Sequence, residues 1–521
     1  MKQIEFWIYF ISIFAAKIIE MKKGDILGFL MLIVIGMNTS IAQTNENRVE
    51  FDLEEDYSDF FVVPLNKNGV LLASFGEKED GKIPLKMIWY SVEMEKLNEE
   101  IKMVPKKYEF AGRYTGEDAS YILFYEYKEG KFICYKMAFD KTESEEIVGP
   151  MAEDMYFFNF VVKGNKLFSL LYDKKEAIVS CVNLDDGSET HFALHTDKSK
   201  VEARSLELIE NEVHVFYVSK ENKVYKNLIV RVNLEGERIG KDILIIGKGE
   251  DYVLSTTTTI LDETNYFVAA AYGNNDVSAS GFQISMYNDG GNKASYTNYY
   301  NFLDFEHFTD YLSEKAKAKI ERKQEKADKK GKELELNYLM KMHQLKKLKD
   351  GSHVLIGEFF YPTYRTEYYT TMVNGRSQTS TRQVFDGYQY THALVTAFDA
   401  GGNKLWDNIF EMNLSQKPYY ARKFIRTNIE DNTVNCMYAN YNTVKSISFE
   451  NGAVVKENTS EKIKENTETE KLKSATGIDA TYWYDNNYII TGYQKIVDKE
   501  AKSGKRKRRI FFMEKTGLKR D

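Results

Sequence analysis

The stretch VTAFDAGGNKLWDNIF, Val395 to Phe410, decides the fold. Two short runs of alternating apolar residues flank a tight turn of Asp, Gly and Asn, and this pattern predicts a β-hairpin. The same order returns along the chain in weaker form, at Val179–Leu194, Val230–Leu244, Ile284–Asn298, Ser446–Lys456 and Ile510–Gly517. Two looser copies lack the Gly, at Met87–Val104 and Lys136–Val148. The chain is therefore expected to be a series of hairpin repeats.

The large residue before each turn measures the spacing of the repeats. These markers are Tyr90, Phe139, Leu184, Leu234, Tyr287, Phe398, Phe449 and Phe512, and their separations are 49, 45, 50, 53, 111, 51 and 63 residues. A period of about 45 to 50 residues with about four strands per period is typical of a β-propeller blade. We therefore predict an all-β fold, a single β-propeller of eight four-stranded blades, with seven blades as the alternative if the loose first unit is not a blade.

Ring closure is predicted from the two ends of the repeat region. The last unit has no room for a fourth strand after Gly517, whereas the segment Arg48–Leu53 alternates and is rich in β-forming residues. We expect Val49, Phe51 and Leu53 to pair with the strand around Ile510 to Met513. Such pairing removes two unpaired sheet edges at once.

The 111-residue interval holds one blade plus an insertion. Ser313–Gly331 lacks β alternation, begins with Ser, ends with Gly and is rich in helix formers, so it predicts a charged helix between blades 5 and 6. The helical insertion is placed at about residues 304–348, and Leu334–Leu348 either extends the helix or begins the next blade. Residues 361–390 are interpreted as a long, polar, Tyr-rich hairpin loop.

The repeat architecture resembles that of β-propeller proteins over nearly all of residues 48–521. Asp399–Trp406, DAGGNKLW, is similar to the turn segment of quinoprotein-type repeats, and the acidic turns are similar to the Asp-boxes of sialidases. Neither pattern is complete or repeated. The resemblance therefore implies the architecture alone, and no family's functional residues are transferred to this chain.

The first 42 residues are interpreted as a targeting region. Lys22 and Lys23, the apolar run Ile26–Met37 and Ser40-Ile41-Ala42 match the three parts of a secretory signal peptide, residues 21–42. Residues 1–20 are interpreted as an upstream extension from a misassigned start codon, and residues 43–521 as the propeller domain. Because the apolar run is shorter than the roughly 17 residues of a spanning helix, no stable transmembrane anchor is expected after cleavage. The expected location is the periplasm, the cell surface or the extracellular medium.

Composition excludes several functional classes. The net charge of −7 argues against a nucleic-acid partner. The three cysteines, Cys134, Cys181 and Cys436, have neither disulfide nor metal-ligand spacing and are expected to be buried thiols. Phosphate-binding, dinucleotide-binding and nucleophile-elbow motifs are missing from the sequence, so no cofactor, metal or catalytic residue is assigned.

A cluster of three acidic residues and one histidine has two interpretations. Asp304, Glu306, His307 and Asp310 could form a metal or acid–base group, but they also suit the solvated, acidic start of a helix. The seven histidines show no metal-binding pattern, and structural or surface roles are expected for them. His353 and His392 are each expected to open a strand.

The predicted binding residues fall into an aromatic group and a basic run. They are Tyr361, Tyr364, Arg365, Tyr368 and Tyr369, and Lys505, Arg506, Lys507, Arg508 and Arg509. The tyrosines suit sugar rings or a protein partner, but with 36 Tyr in the chain the pattern favours cross-strand pairs that steady a long hairpin. Strand order should bring the helix, the Tyr-rich stretch, Lys456–Ser474 and Lys502–Arg509 to one face of the propeller.

Two functions remain open from the sequence. The first is an exported binding or interaction protein of the cell envelope, whose partner is a protein or a polysaccharide, with an anionic partner as one option. The alternative is a propeller enzyme of the glycan hydrolase or lyase type that uses carboxylates in the central funnel. A carboxylate pair about 5 to 10 Å apart in that funnel would favour the enzyme.

Overall fold

The computed structural model describes residues 44–45, 47–53, 57–173, 176–194, 200–221, 224–288, 291, 293–373, 376–463, 470–498 and 507–518. These residues form eight antiparallel sheets. Seven of them use consecutive strands, and the eighth adds a strand from the N-terminal side. The fold is the eight-bladed β-propeller expected from the repeats, and the seven-bladed alternative is wrong. The predicted signal peptide and upstream extension lie outside the described residues.

The first half of the chain supplies the N-terminal strands and four blades. The N-terminal strands are Thr44–Asn45 (β1) and Arg48–Asp52 (β2). Blade 1 comprises Tyr57–Pro64 (β3), Val70–Gly76 (β4), Lys82–Tyr90 (β5) and Lys96–Pro105 (β6). Blade 2 comprises Glu109–Thr115 (β7), Ala119–Glu126 (β8), Lys131–Ala138 (β9) and Glu145–Pro150 (β10). Blade 3 comprises Tyr156–Lys163 (β11), Lys166–Tyr172 (β12), Ala177–Asn183 (β13) and Glu189–Ala193 (β14), and blade 4 comprises Lys200–Ile209 (β15), Glu212–Glu221 (β16), Val224–Val232 (β17) and Ile243–Ile245 (β18).

The second half supplies the helix and the other four blades. Blade 5 comprises Tyr252–Ile260 (β19), Asn265–Gly273 (β20), Gly281–Asn288 (β21) and Tyr296–Asn301 (β22), and the helix Glu314–Asp328 (α1) follows it. Blade 6 comprises Leu339–Met342 (β23), Lys346–Lys347 (β24), His353–Val373 (β25), Arg376–Phe398 (β26) and Lys404–Glu411 (β27). Blade 7 comprises Arg426–Glu430 (β28), Thr433–Asn440 (β29), Thr443–Glu450 (β30) and Ala453–Lys462 (β31). Blade 8 comprises Glu470–Tyr484 (β32), Asn487–Asp498 (β33) and Lys507–Gly517 (β34), completed by β2.

The apolar core lies between the blades. The described residues form eight hydrophobic clusters, and each cluster takes its members from two neighbouring blades. Trp89 of blade 1 shares a cluster with Tyr135 of blade 2, and Val49 of blade 8 shares another with Val70 of blade 1. Because each sheet is covered on both faces, its central strands are rich in aromatic and aliphatic residues.

The hairpin turn of blade 6 shows how local chemistry fixes a repeat. The Asp399 carboxylate accepts the backbone N–H of Asn403, 2.8 Å away, and the N–H of Gly402 donates to the carbonyl of Asp399. Gly402 has a φ of 75°, which favours glycine, and a Cβ there would lie 2.6 Å from the ring of Tyr296. The glycine therefore allows both the turn and its close packing on blade 5.

The ring is closed by the N-terminal strand, as the sequence predicts. Val49 pairs with Met513 and Phe51 with Phe511, and the N–H of Leu53 donates to the carbonyl of Arg509. β34 runs without interruption to Gly517, so the hairpin expected within Ile510–Gly517 is wrong. The fourth strand of this blade comes from β2, and a local turn is not needed.

Buried charges accompany this closure. Arg48, which is 1% exposed, bonds Glu50 at 2.9 Å and Glu514 at 3.0 Å. Arg508 also binds Glu50, at 2.6 Å, and it binds Glu470 at 2.8 Å. We call Arg48, Glu50, Glu470, Arg508 and Glu514 the closure cluster. It links β2 to two other strands of blade 8, β32 and β34.

The insertion between blades 5 and 6 contains the expected helix. Helix α1 begins after Ser313 and ends near Gly331, whose φ is 62°. Leu334–Leu348 does not extend it; the segment contains β23 and β24 and begins blade 6. His392 lies inside β26, so the expectation that it opens a strand is wrong.

The three cysteines are buried and unpaired. Within the described ranges, no helix is long and apolar enough to cross a membrane.

Candidate functional site

Strand order gives the propeller two different faces. The first strands of neighbouring blades contact one another, so they form the inner wall of the ring. Connections from second to third strands, and from one blade to the next, emerge on one face, which we call the long-loop face. Helix α1 and the β25–β26 connection belong to this face, as expected from the sequence. Residues 464–469 and 499–506, which hold most of the other two predicted elaborations, lie outside the described residues.

The Tyr-rich stretch is a β-ribbon, so its interpretation as a loop is wrong. β25 and β26 pair almost continuously from His353–Phe398 to Val373–Arg376, whereas their outer neighbours end near Phe360 and His392. Residues 361–373 and 376–389 therefore form a two-stranded extension, which we call the arm. At about 3.4 Å per residue, the arm is about 40 Å long.

The predicted aromatic residues lie on the arm and are open to solvent. Tyr361, Tyr364, Tyr368 and Tyr369 are 50, 60, 74 and 45% exposed. Beyond a bulge next to Tyr364, residues two apart share a face, so Tyr364 and Tyr368 lie on one side and Tyr369 on the other. The ring of Tyr364 contacts Phe385 across the ribbon, with centroids 6.0 Å apart. This contact fits the cross-strand role, while the exposure of Tyr368 leaves a ring face open.

Arg365, the fifth predicted residue of this group, is part of an ion-pair ladder. Its guanidinium lies 2.9 Å from Glu367 and 3.5 Å from Asp386, and Arg382 binds Glu367 from the opposite strand at 2.9 Å. The two arginines hold the pKa of Glu367 below its usual value. The ladder steadies the ribbon, so the charge of Arg365 is largely compensated.

The predicted basic run is only partly described. Lys505 and Arg506 lie outside the described residues, and Lys507, Arg508 and Arg509 belong to β34. Lys507 and Arg509 are exposed, whereas Arg508 belongs to the closure cluster. Desolvation lowers the pKa of Arg508, but its carboxylate partners outweigh this effect, and the net shift is upward. Blade 7 separates this strand from the arm, so the two predicted groups do not form one cluster.

The inner wall holds charged side chains that the sequence analysis missed. Glu207 lies on β15 and accepts a hydrogen bond of 3.0 Å from the hydroxyl of Thr257. Lys341 and Lys346 lie on the inner strands of blade 6, and Lys423 lies just before the inner strand of blade 7. We call these three the channel lysines. In the part of the chain that the structure describes, none of them has an ion-pair partner.

Desolvation is the largest influence on the pKa values of Glu207, Lys346 and Lys423. Desolvation raises the pKa of Glu207, although nearby Lys423 and Lys346 oppose that shift. Desolvation also lowers the pKa of Lys423 and of Lys346. The side chains of Lys346 and Lys423 are exposed. Their ammonium groups therefore lose part of their hydration to the channel wall and not to burial in the core.

The backbone beside Lys423 is held by a buried carboxylate. Glu358, which is 0% exposed, accepts the N–H groups of Phe424 and Ile425 at 2.9 Å each. It also lies 2.7 Å from Nε2 of His343, whose pKa is lowered by desolvation. These bonds fix the point at which the Lys423 side chain leaves the main chain.

The opposite part of the channel is arginine-rich. Arg426 and Arg422 lie 3.3 and 3.2 Å from the carboxylate of Asp479, and Arg113 donates to the carbonyl of Val62 at 2.6 Å. A cavity of about 720 Å³ is lined in part by Arg113 and Arg426. Asp479 belongs to blade 8 and Glu207 to blade 4, on opposite sides of a ring of eight.

The acidic cluster before the helix has structural partners. His307 and Lys317 both bind Asp310, at 2.9 and 3.2 Å, and Asp304 accepts the N–H of Asn301. Among the described residues there is no group of three or more potential metal ligands. A cavity of about 520 Å³ lies between this region and α1. These contacts agree with the interpretation of the cluster as a solvated helix start.

Comparison with known proteins assigns no function to the chain. No family model matches the chain, and no curated protein matches it. The solved Dos1 propeller has a TM-score of 0.40 at 8% identity, over 89% of this chain and 94% of that one. The β-propeller domain of the Trilobed protease from Pyrococcus furiosus has a TM-score of 0.35 at 10% identity, over 80% of this chain and 97% of that one.

A third structure matches a smaller part. Cobalt-substituted apocarotenoid oxygenase from Synechocystis has a TM-score of 0.29 at 9% identity, and the match covers 48% of this chain and 63% of that one. The chain thus spans less than two thirds of that enzyme. The strand order establishes that the protein is a β-propeller, and its function has to be argued from its own residues.

Proposed function

We propose that the protein is an exported binding protein of the cell envelope, and that the arm on its long-loop face holds a polysaccharide. The observation that carries this proposal is the row of exposed tyrosines on the arm. A ribbon that served only to brace the propeller would cover these rings, yet Tyr368 is 74% exposed. Tyrosine offers an apolar ring face and a hydroxyl group, which suits sugar rings.

The position of the arm supports the same function. Long elements carried by a rigid scaffold are commonly binding elements, since the scaffold fixes where they project. The base of the arm is held by Lys417, which pairs with Asp386 at 3.0 Å, and by the contact of Phe385 with Tyr419. The arm is therefore anchored at its base while its outer tyrosines stay open to solvent.

The alternative, a hydrolase or lyase with two channel carboxylates, has less support. Glu207 and Asp479 belong to opposite blades, and Asp479 is paired with Arg422 and Arg426. Both guanidinium groups lie within 3.3 Å of its carboxylate, so Asp479 already has charge partners inside the protein. The arrangement suits charge compensation better than paired acid–base catalysis.

The arm can be tested with a glycan array and the chain from Gln43 onwards. Tyr364→Ala combined with Tyr368→Ala should reduce binding to the recognised glycan at least about tenfold, because two ring contacts are removed. Tyr225→Ala is the matched control, since Tyr225 is 48% exposed but belongs to blade 4. Equal losses in both variants, or capture of a protein with no glycan bound, would contradict the proposal.

Export is tested separately. The expected mature N-terminus is Gln43, which mass spectrometry of protein from the native host would identify. An intact segment from Met21 to Ala42 on that protein would contradict the proposed location.

A further inference from the structure

A third cavity lies at a different place from the arm. It has a volume of about 320 Å³ and lies between blades 4, 5 and 6, where residues of three inner strands and of the β20–β21 connection meet. Its polar lining includes Glu207, Thr256, Lys341 and Lys423, and its apolar lining includes Phe216 and Met340. The β20–β21 connection belongs to the long-loop face, so the cavity opens there.

The cavity carries positive charge that the protein does not neutralise by contact. Neither Lys341 nor Lys423 has an ion-pair partner within the described ranges. Arg204, which also lines the cavity, is different, because it pairs with Glu202 at 3.0 Å. Asp276 lies at the exposed rim and carries the opposite charge. Two ammonium groups converging on one small cavity favour an anion.

A buried hydroxyl in the same wall also lacks a partner. Thr256 is 5% exposed, and its Oγ1 has no hydrogen-bond partner among the described residues. Its neighbour Thr257 bonds Glu207 and accepts the N–H of Leu345, so this strand normally satisfies its hydroxyl groups. A buried polar group without a partner is costly, and a ligand hydroxyl would supply the missing bond.

The backbone beside the two lysines is held in place. Glu358 accepts the N–H groups of Phe424 and Ile425, next to Lys423, and the backbone of Lys341 lies opposite that of Glu358 in the β23–β25 ladder. Phe216 and Met340 add apolar side chains to the lining. The cavity therefore combines two lysines, one unsatisfied hydroxyl and apolar side chains, a combination found in small-molecule sites.

We propose that this cavity binds a small hydroxylated carboxylate of the sugar-acid type. The ammonium groups of Lys341 and Lys423 bind the carboxylate, the hydroxyl of Thr256 bonds a ligand hydroxyl, and the apolar side chains cover the ring face. Glu207, which also lines the cavity, accepts a hydrogen bond from a second ligand hydroxyl. The site is independent of the arm, so the two functions fail separately.

Calorimetric titration of the chain from Gln43 onwards tests this site with glucuronate and galacturonate. Their neutral counterparts, glucose and galactose, and the simple carboxylate acetate are the comparison probes. At least one uronate should bind about tenfold or more tightly than its neutral sugar and than acetate. Absence of binding by both uronates at millimolar concentration, or equal binding of sugar or acetate, would overturn the proposal.

Variants assign the binding to the cavity. Lys423→Gln and Lys341→Gln should each weaken uronate binding about tenfold or more, and Thr256→Val should weaken it several-fold. Lys346→Gln is the control, because Lys346 is a channel lysine that does not line the cavity. An unchanged affinity of Lys423→Gln, or an equal loss in Lys346→Gln, would place the ligand elsewhere and contradict the site. Thermal unfolding of each variant checks that it is folded.

Discussion

The closure cluster and the channel lysines place charged groups in opposite situations. In the closure cluster, Arg48 is almost fully buried, and carboxylates lie within 3.0 Å of its guanidinium. The channel lysines contact water and have no carboxylate partner among the described residues. The first group is costly to disturb, since each member compensates another. The channel lysines can be replaced without leaving a charged partner unpaired, which is expected of residues that bind a ligand.

The largest effect is expected from removing the strand that carries the closure cluster. Deleting Asn45 to Leu53 leaves the edge of β34 open and removes Val49 from the cluster between blades 8 and 1. The loss should be about 5 kcal/mol or more, from apolar burial and unpaired charges together. Chemical denaturation measures it, and truncation before Thr44 is the control. An unchanged stability would mean that β2 does not close the ring.

A smaller but still large effect is expected for Arg48→Met. Methionine preserves the packing volume, but Glu50 and Glu514 lose a buried partner. Breaking a buried pair from one side costs about 3 to 5 kcal/mol. The free energy of unfolding should fall by about that amount at pH 7. A loss below about 1 kcal/mol would show that the cluster resembles an exposed ion pair.

His392 is a buried side chain that is kept neutral, and its expected effect on stability is intermediate in size. It is stacked between Tyr311 and Phe359, with ring centroids 3.9 and 4.8 Å away, and burial lowers its pKa to about 3. Its native pKa lies below the unfolded value, so the unfolded chain binds more protons and stability falls as the pH falls below about 6.5. The expected contribution of His392 at pH 5 is a loss of about 2 kcal/mol.

His392→Phe should remove that share of the pH dependence. Unfolding free energies of the variant and the parent, compared at pH 7 and pH 5, measure it. Other buried histidines, such as His214, titrate in the same direction and remain in the variant. Parallel pH profiles for the two proteins would contradict the assignment.

The smallest effect is expected for Lys423→Met. The ammonium is partly desolvated and unpaired, so its removal should change the unfolding free energy by less than about 0.5 kcal/mol or stabilise the protein slightly. Differential scanning calorimetry at pH 7 checks this. A large destabilisation would show that the charge of Lys423, like that of Arg48, stabilises the fold.

The fold was predictable because the repeats depend on local chemistry. A turn such as Asp399–Asn403 carries its own hydrogen bonds, so spacing alone revealed the blades. The arm was not recognised because Thr, Tyr and charged residues alternate on both of its faces, and no apolar side marks a strand. The strand at residues 361–373 follows from pairing with β26, which a scan for amphipathic alternation does not detect.

The candidate site was less predictable than the fold. Glu207, Thr256, Lys341 and Lys423 are far apart in sequence, and only the ring brings them to one cavity. The inner strands could have been searched for polar residues once the blades were assigned, and Thr256–Thr259 is such a signal. The role of Arg508 was also not visible in the sequence. A basic run suggests an exposed surface, whereas Arg508 binds Glu50, which belongs to the N-terminal strand.

The N-terminal strand also determines when the protein can become complete. Arg48 and Glu514 are 466 residues apart in the chain, and closing a loop of that length costs about 5 kcal/mol of entropy. β2 leaves the ribosome first but has no partner until β34 has been synthesised. Until then, β2 lacks its partner strand and the last blade is incomplete. Once the ring is closed, it can open at the pairing of β2 with β34. The lifetime of the folded protein therefore depends on how rarely this pairing breaks.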